Sequence, residues 1–395
     1  MPSLPTGVLS STAAKALVVI AFVAVGGVAA AQMGVIDGMM GSDDAEELDD
    51  VPDGVDSVAV FDASVLEEDV SERLYATAYN ATVRPELEAD EEDEDEGDGD
   101  GMGRSSPAEM VPANLTAALD ETENESGLDP RAVDEVVVFN QRRNFSQPQY
   151  AGAVVDADWN ESAVVAAVSN SSGTEYENTT VEGVTVYKPA ENDTEDDEMS
   201  FGAPDPEQWI AVLDDGQYAF GTDEAVNDTV QVAVGNAEPV DGDLRTAFEG
   251  TRDGYARYAQ RSQNVNVTRI NQTMGQRTGL NVTAYAQAYN DLHVTAGSYY
   301  VTDDSLGVES RTLTNSTDTA RDVEDLTQGF ISIQAGAVQN ETIENELRST
   351  EVTRDGTTVT VTRETSIETA EKLLRWLGSA TREEQRSGSG AEPVA

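Results

Sequence analysis

The sequence predicts an α+β fold, arranged as two tandem units behind an N-terminal helix that spans a membrane, and three observations lead there. Between residues 57 and 190 the apolar pattern switches repeatedly between a period of two, the mark of a half-buried strand, and a spacing of three and four, the mark of a helix. A strand, an Asp-Gly turn, a strand and a helix occur in that order around Gly216 and again around Gly356, 140 residues later. Residues 16–36 (ALVVIAFVAVGGVAAAQMGVI) are 21 consecutive uncharged positions between Lys15 and Asp37, long enough to cross a bilayer.

Taken in chain order, residues 1–36 read as a signal or transmembrane anchor. Lys15 and the terminal amine precede the apolar run and a dense acidic stretch follows it, so the amino end stays inside and the bulk of the chain is extracellular. The alternative is cleavage before Gln32, because Ala29 and Ala31 form a small-x-small pattern, and the chain is then secreted. Residues 37–56, rich in Gly, Pro and acid, read as an acidic stalk.

The first unit covers residues 57–190. It opens with a strand at 57–62 (SVAVFD) and a helix over 63–80, in which Leu66, Val70 and Leu74 recur at every fourth position. Residues 86–100 hold eleven acids in fifteen positions and read as a solvated loop insertion. Then come a helix over 114–124, strands at 135–139 (EVVVF) and 150–155 (YAGAVV), a helix over 160–169, and a single strand at 181–187 (VEGVTVY). In order this is βαββαβ, the ferredoxin-like split motif.

Residues 191–207 form an acidic linker to the second unit, residues 208–378. This unit begins with a hairpin of 209–213 and 218–221 across Asp215-Gly216, followed by a helix capped by Thr222 with Asp223 and Glu224 in its first turn. A helix over 244–261 brings Phe248, Tyr255 and Tyr258 to related faces; strands at 292–301 and 307–313 and a helix over 319–334 come next. The hairpin of 348–353 and 357–363 crosses Asp355-Gly356, and Thr365 with Glu368 makes a capping box for a last helix over 366–377. Residues 379–395 have the composition of a disordered tail. The repeated hairpin predicts a duplicated, ferredoxin-like unit; the competing account is one larger mixed sheet whose hairpins merely look alike.

The chain carries 76 acidic and 23 basic residues, a net charge of −53, and only Lys15, Lys188 and Lys372 are lysines. Nucleic acid is excluded as a partner, because phosphate binding needs clustered Lys and Arg. Acid surplus with lysine depletion reads as adaptation to molar salt: carboxylates hold hydrated cations, and the Debye length falls to about 3 Å, which screens self-repulsion. An acidic chain at ordinary salt is the alternative.

Asparagine usage points the same way as the N-terminus. N-x-[ST] triplets occur at Asn80, Asn114, Asn124, Asn144, Asn160, Asn170, Asn178, Asn192, Asn227, Asn266, Asn271, Asn281, Asn315 and Asn340, which is 14 of 19 asparagines. Ser and Thr make up 16% of the chain, so chance would put about three asparagines in that context. All 14 lie beyond the apolar run, where exported glycosylation sites must lie.

An apolar span, an acidic stalk, the segment 51–62 (VPDGVDSVAVFD), the strand 150–155 (YAGAVV) and the hairpin edge 215–222 (DGQYAFGT) together resemble membrane-anchored, secreted-type surface proteins of haloarchaea. The resemblance covers most of the chain and implies location and architecture. It rests on fold-forming segments, and that family brings no assigned chemistry, so it implies no functional residue.

Catalytic chemistry is thinly supplied. There is no cysteine, which removes disulfides, thiolate metal sites and a Cys nucleophile. The single histidine, His293, excludes a histidine metal cluster; in LHVTAGS it falls opposite the inward-facing Leu292, Val294 and Ala296, as a surface histidine or, without any G-x-S-x-G elbow, a catalytic base. The glycine stretch 97–103 (GDGDGMG) lacks phosphate-loop spacing, and Gly97 stands where an EF-hand needs its third ligand, so diffuse cation condensation is read in place of a defined cofactor or metal site. Paired carboxylates are abundant but unspecific among 76 acids, and Trp159, Trp209 and Trp376 read as packing residues that could stack on sugars. Arg142-Arg143, the one basic doublet, reads as an internal ion pair or an anchor for a carboxylate partner. The sequence thus points to an N-glycosylated surface protein with no cofactor and no identifiable catalysis, whose partners are the membrane, hydrated cations and envelope proteins or glycans. The alternative is a carboxylate-dependent extracellular hydrolase acting on glycans or peptides.

Overall fold

Among the described residues twelve strands, numbered in chain order, hydrogen-bond into a single sheet in the order β11-β12-β10-β9-β8-β1-β2-β3-β7-β6-β5-β4. The computed structural model of the chain describes residues 45–82, 112–142, 150–190, 208–262, 290–302, 305–338 and 340–376. The apolar span, the acidic insertion 86–100, the linker 191–207, the tail 379–395 and the sequons at Asn144, Asn192, Asn266, Asn271 and Asn281 lie outside the described residues. Among the described residues no helix is long and apolar enough to cross a membrane.

The strands are β1 (Ser57–Asp62), β2 (Val133–Gln141), β3 (Tyr150–Ala157), β4 (Tyr176–Val181), β5 (Val184–Pro189), β6 (Trp209–Asp214), β7 (Gln217–Gly221), β8 (Ala256–Arg261), β9 (Leu292–Val301), β10 (Ser305–Thr314), β11 (Glu351–Asp355) and β12 (Thr358–Ser366). Eight helices accompany them among the described residues: α1 (Asp69–Thr82), α2 (Leu115–Ser126), α3 (Glu161–Ser172), α4 (Asp223–Ala233), α5 (Asp243–Glu249), α6 (Thr317–Ala337), α7 (Glu341–Ser349) and α8, residues 367–376. Asn114 and Asn160 cap α2 and α3 through their Oδ1 atoms, and Gly127 and Gly173 end these helices in the left-handed conformation.

Period-two alternation buries both faces of the central strands. On one face Val136, Val155, Ile210, Tyr218 and Tyr299 pack against Leu115 and Leu119 of α2 and Val164 and Val168 of α3. On the other, Val58, Val60, Val137, Phe139, Val154 and Ala296 pack against Leu244 and Phe248 of α5. The sheet therefore sits between two layers of helices.

The α+β class holds, with an antiparallel sheet. The split ferredoxin-like order is not what the sheet carries. That motif needs β1 and β2 parallel with another strand between them, whereas here they are antiparallel neighbours, with Ser57 opposite Asn140 and Asp62 opposite Glu135. The reason lies in the crossover, which contains α1 and α2 in contact with each other. Two successive helices reverse the chain twice and return it to the end where β1 stopped, so β2 must enter antiparallel.

The hairpins do occupy matching places. Outward from the central β1–β8 pair, β1-β2-β3 is followed by the Asp-Gly hairpin β7-β6, and β8-β9-β10 by the Asp-Gly hairpin β12-β11. The hairpin β6-β7, expected to open the second unit, pairs with β3 and β5, so the sheet continues across residues 191–207.

Four local expectations are corrected. Residues 181–187 are two strands: Glu182 and Gly183 have φ of 50° and 95°, a primed turn that folds the segment back on itself. The helix expected over 244–261 stops at Glu249, and β8 follows; Gly254 sits where a Cβ would stand 2.4 Å from the Tyr299 carbonyl oxygen, an approach that only glycine permits. The capping residue of α8 is Ser366, whose Oγ accepts from the Thr369 N–H, while Thr365 donates to Glu346 at 2.6 Å. Thr222 stands at the start of α4 without a capping bond, and its hydroxyl is buried with no partner.

The stalk is corrected most. Leu48, Val51 and Val55 are fully buried in the second-face core. The Val240 N–H donates to the Val51 carbonyl, so residues 45–56 belong to the folded body.

Candidate functional site

The register of three adjacent strands builds an acidic rank. Asp62 of β1 lies opposite Glu135 of β2, and Glu135 lies opposite Asp156 of β3. Directly opposed residues of an antiparallel pair point to the same face with Cβ atoms about 5 Å apart. This is the face of Val60, Val137 and Val154, where the apolar core ends and the 3-10 turn Ala45–Leu48 lies nearby. Gln217 of β7 extends the rank beyond Asp156 and donates from Nε2 to Asp50 Oδ2 at 3.0 Å.

A buried ion pair closes the other end. The Arg257 side chain is 3% exposed and its Nη1 lies 3.4 Å from Oε2 of Glu47, which is 4% exposed. Arg257 also donates from Nε to Thr251 Oγ1 and from Nη2 to the Phe248 carbonyl, and its guanidinium lies 4.2 Å from the centre of the Phe248 ring. The cation is thus held by a carboxylate, two neutral acceptors and a π face, which together offset its desolvation.

This setting decides the charge of the rank. Burial, then the carboxylates of Glu47, Asp62 and Asp156, push Glu135 up from 4.5 to about 8, against the pull of Arg257. Burial also raises Asp50 and Asp156, the latter with help from Asp134. At neutral pH Glu135 is therefore a carboxylic acid able to donate a hydrogen bond between two carboxylates. Among the described residues no group of three acidic or histidine side chains is placed to hold a metal ion. Surface hollows lie elsewhere: one is lined by Asn340, Glu341, Thr342 and Trp376, another by residues of α3 with Tyr176 and Tyr187.

The other sequence candidates fall as follows. His293 is exposed, as its position in β9 implies, and its Nε2 shares a hydrogen bond with Asp243 Oδ2 at 2.5 Å. Arg142 makes the internal ion pair, with its N–H on Asp56 Oδ2 and its Nε 3.8 Å away; Arg143 lies outside the described residues. Trp159 packs on the first-face core and donates to the Asp129 carbonyl, Trp209 packs beside Val186 and Val226, and Trp376 is exposed.

Of the sequon asparagines, Asn80, Asn114, Asn124, Asn160, Asn170, Asn178 and Asn315 are exposed and Asn227 and Asn340 half-exposed. Asn114, Asn160 and Asn340 cap helices through Oδ1 with extended backbone, which leaves the amide nitrogen, the atom that carries a glycan, out of the cap.

The sequence reading missed the rank. Its signal was present in pieces, since Asp62 closes SVAVFD, Glu135 opens EVVVF and Asp156 follows AVV. What aligns them is inter-strand register.

The chain matches no family model and no curated protein. Crystal form III of TP0453 aligns with a TM-score of 0.38 at 9% identity, over 83% of this chain and 97% of that one. Crystal form I of TP0453 gives 0.37 at 10% identity, over 84% and 96%. Likeness at this level carries no argument about fold or function.

Proposed function

We propose that the chain is a halophilic, N-glycosylated cell-surface protein held by its apolar span, with an extracellular α+β body that serves as a structural or interaction module. The observation that carries this reading is the placement of sequons: none of the nine in the described residues is buried, and three sit on extended cap backbone with the amide nitrogen uncommitted to the cap. The enrichment of 14 sequons in 19 asparagines, all beyond residue 36, supports it independently. The matching order of strands on either side of β1 and β8 supports a duplicated unit, formed of a three-strand meander and an Asp-Gly hairpin. Its partners are the membrane through residues 16–36, hydrated cations over the acidic surface, and envelope proteins or glycans. Limited proteolysis of intact cells at molar salt tests the topology. Peptides from residues 45–376 should be released without lysis; their protection until the membrane is opened would sink the reading.

A second reading, a carboxylate-dependent hydrolase, has one observation in its favour: Glu135 is a protonated acid between two carboxylates, the arrangement of an acid-base pair. The rank lies outside both hollows described above. Glycan or peptide hydrolysis that disappears in Glu135→Gln, with the fold intact, would establish it.

A further inference from the structure

We propose that the two aromatic hollows are seats for the chain's own N-linked saccharides, carried on Asn340 and Asn178; the inference rests on the glycoprotein reading above. Asn340 caps α7, with Oδ1 accepting from the Thr342 and Ile343 N–H groups at 2.9 and 3.4 Å and a backbone of φ −98° and ψ 113°. The cap engages the oxygen, and glycosylation uses the nitrogen, so both coexist. Nδ2 takes C1 of a saccharide from a lipid-phosphate carrier: the N–C1 bond forms, the C1–O bond breaks, the phosphate leaves with the electron pair, and one amide proton passes to a base.

The hollow beside Asn340 is lined by Asn340, Glu341, Thr342 and Trp376. Trp376 is 39% exposed, and α6, which contacts α7, exposes Phe330 and Ile333 at 44% and 59%. In a chain of net charge −53 such apolar exposure is out of character. A pyranose fits it: its C–H face packs on an indole while its hydroxyls reach water and the Glu341 carboxylate.

The second hollow repeats the chemistry. Asn178 of β4 is directly opposite Tyr187 of β5 and two residues from Tyr176, so the three side chains share one face. Tyr176 and Tyr187 line that hollow against α3. Among the described residues β4 is also an edge of the sheet, and a saccharide on Asn178 would shield that edge from a second copy.

The test uses the full chain made at molar salt in a host that attaches N-glycans, as wild type, Thr342→Ala, Thr180→Ala and Trp376→Phe. Thr342→Ala removes the sequon and keeps the Asn340 cap. Glycopeptide mass spectrometry should find Asn340 and Asn178 occupied. Acrylamide quenching of tryptophan should rise roughly twofold in Thr342→Ala, from the uncovered indole. The rise should be absent in Thr180→Ala and when Trp376→Phe is combined with Thr342→Ala. Occupied sequons elsewhere with Asn340 and Asn178 bare would overturn the seats and leave the glycoprotein reading standing, as would unchanged quenching with Asn340 occupied. A chain bare at every sequon would end both.

Discussion

The residue with the largest thermodynamic consequence is Glu135. Its folded pKa of about 8 lies above the ordinary 4.5, so its contribution to stability runs against the usual carboxylate. Below 4.5 both states hold the proton and nothing is lost. Between 4.5 and about 8 the unfolded chain ionises while the folded one stays protonated, so stability falls as pH rises, and above that range the loss is complete. Glu135→Gln should therefore flatten the profile, with a gain over wild type about 1–3 kcal/mol larger at pH 9 than at pH 5. Thermal melts at fixed molar salt check it; equal gains at both pH values would show that the proton is not held there. Arg257 gives a second case. Arg257→Met strands the buried Glu47 carboxylate and should cost about 3–5 kcal/mol, and adding Glu47→Gln should recover a large part of the loss. A double variant no more stable than the single one would mean that packing on Phe248, and not charge, is what Arg257 supplies. Each acid of the rank was visible as the end of an apolar run. That Asp62, Glu135 and Asp156 stand side by side depends on which strands pair, which local pattern does not encode.

Elements were legible where a turn residue and a clean period coincide. The hairpins at Gly216 and Gly356 and the strand Leu292–Val301 stand where the sequence places them. Two of the misses share a cause: a turn inside an apparently continuous pattern. Val181, Gly183, Thr185 and Tyr187 alternate as one strand would, and only the φ values at Glu182 and Gly183 reveal the fold-back. Likewise Phe248 and Tyr258 satisfy helical spacing although a glycine-containing turn separates α5 from β8. The matched hairpins predict unequal sensitivity. Gly216 has φ 88° and a Cβ there would stand 3.0 Å from the Ala157 carbonyl oxygen; Gly356 has φ 57° and open space around it. Gly216→Ala should cost about 2–3 kcal/mol and Gly356→Ala about 1 kcal/mol. Equal losses in denaturant melts would mean that the neighbouring strand β3 yields without cost.

At the scale of the described residues, one sheet joins what the sequence divides into two units, and residues 45–56 contribute to its core. If the span ends at Ile36, eight residues precede Ala45, and fully extended they reach at most about 29 Å. On the proposed topology the folded body is held close to the bilayer. Deletion through residue 44 gives the reference melt, since Ala45 opens the described body. Deletion through residue 56 removes Leu48, Val51 and Val55, each worth about 1.5–3 kcal/mol when buried, and should abolish or sharply lower it. A melt equal to the reference from the shorter chain would contradict the packing of residues 45–56. The charge of −53 belongs to this scale as well: among the described residues few charged side chains are buried, Glu47 and Arg257 being paired with each other. Glycopeptide mass spectrometry of material shaved from intact cells at molar salt tests the proposed export and glycosylation most directly. The account predicts glycans on exposed sequons, Asn114, Asn160 and Asn340 among them. Recovery of these peptides with all 14 asparagines bare would contradict it.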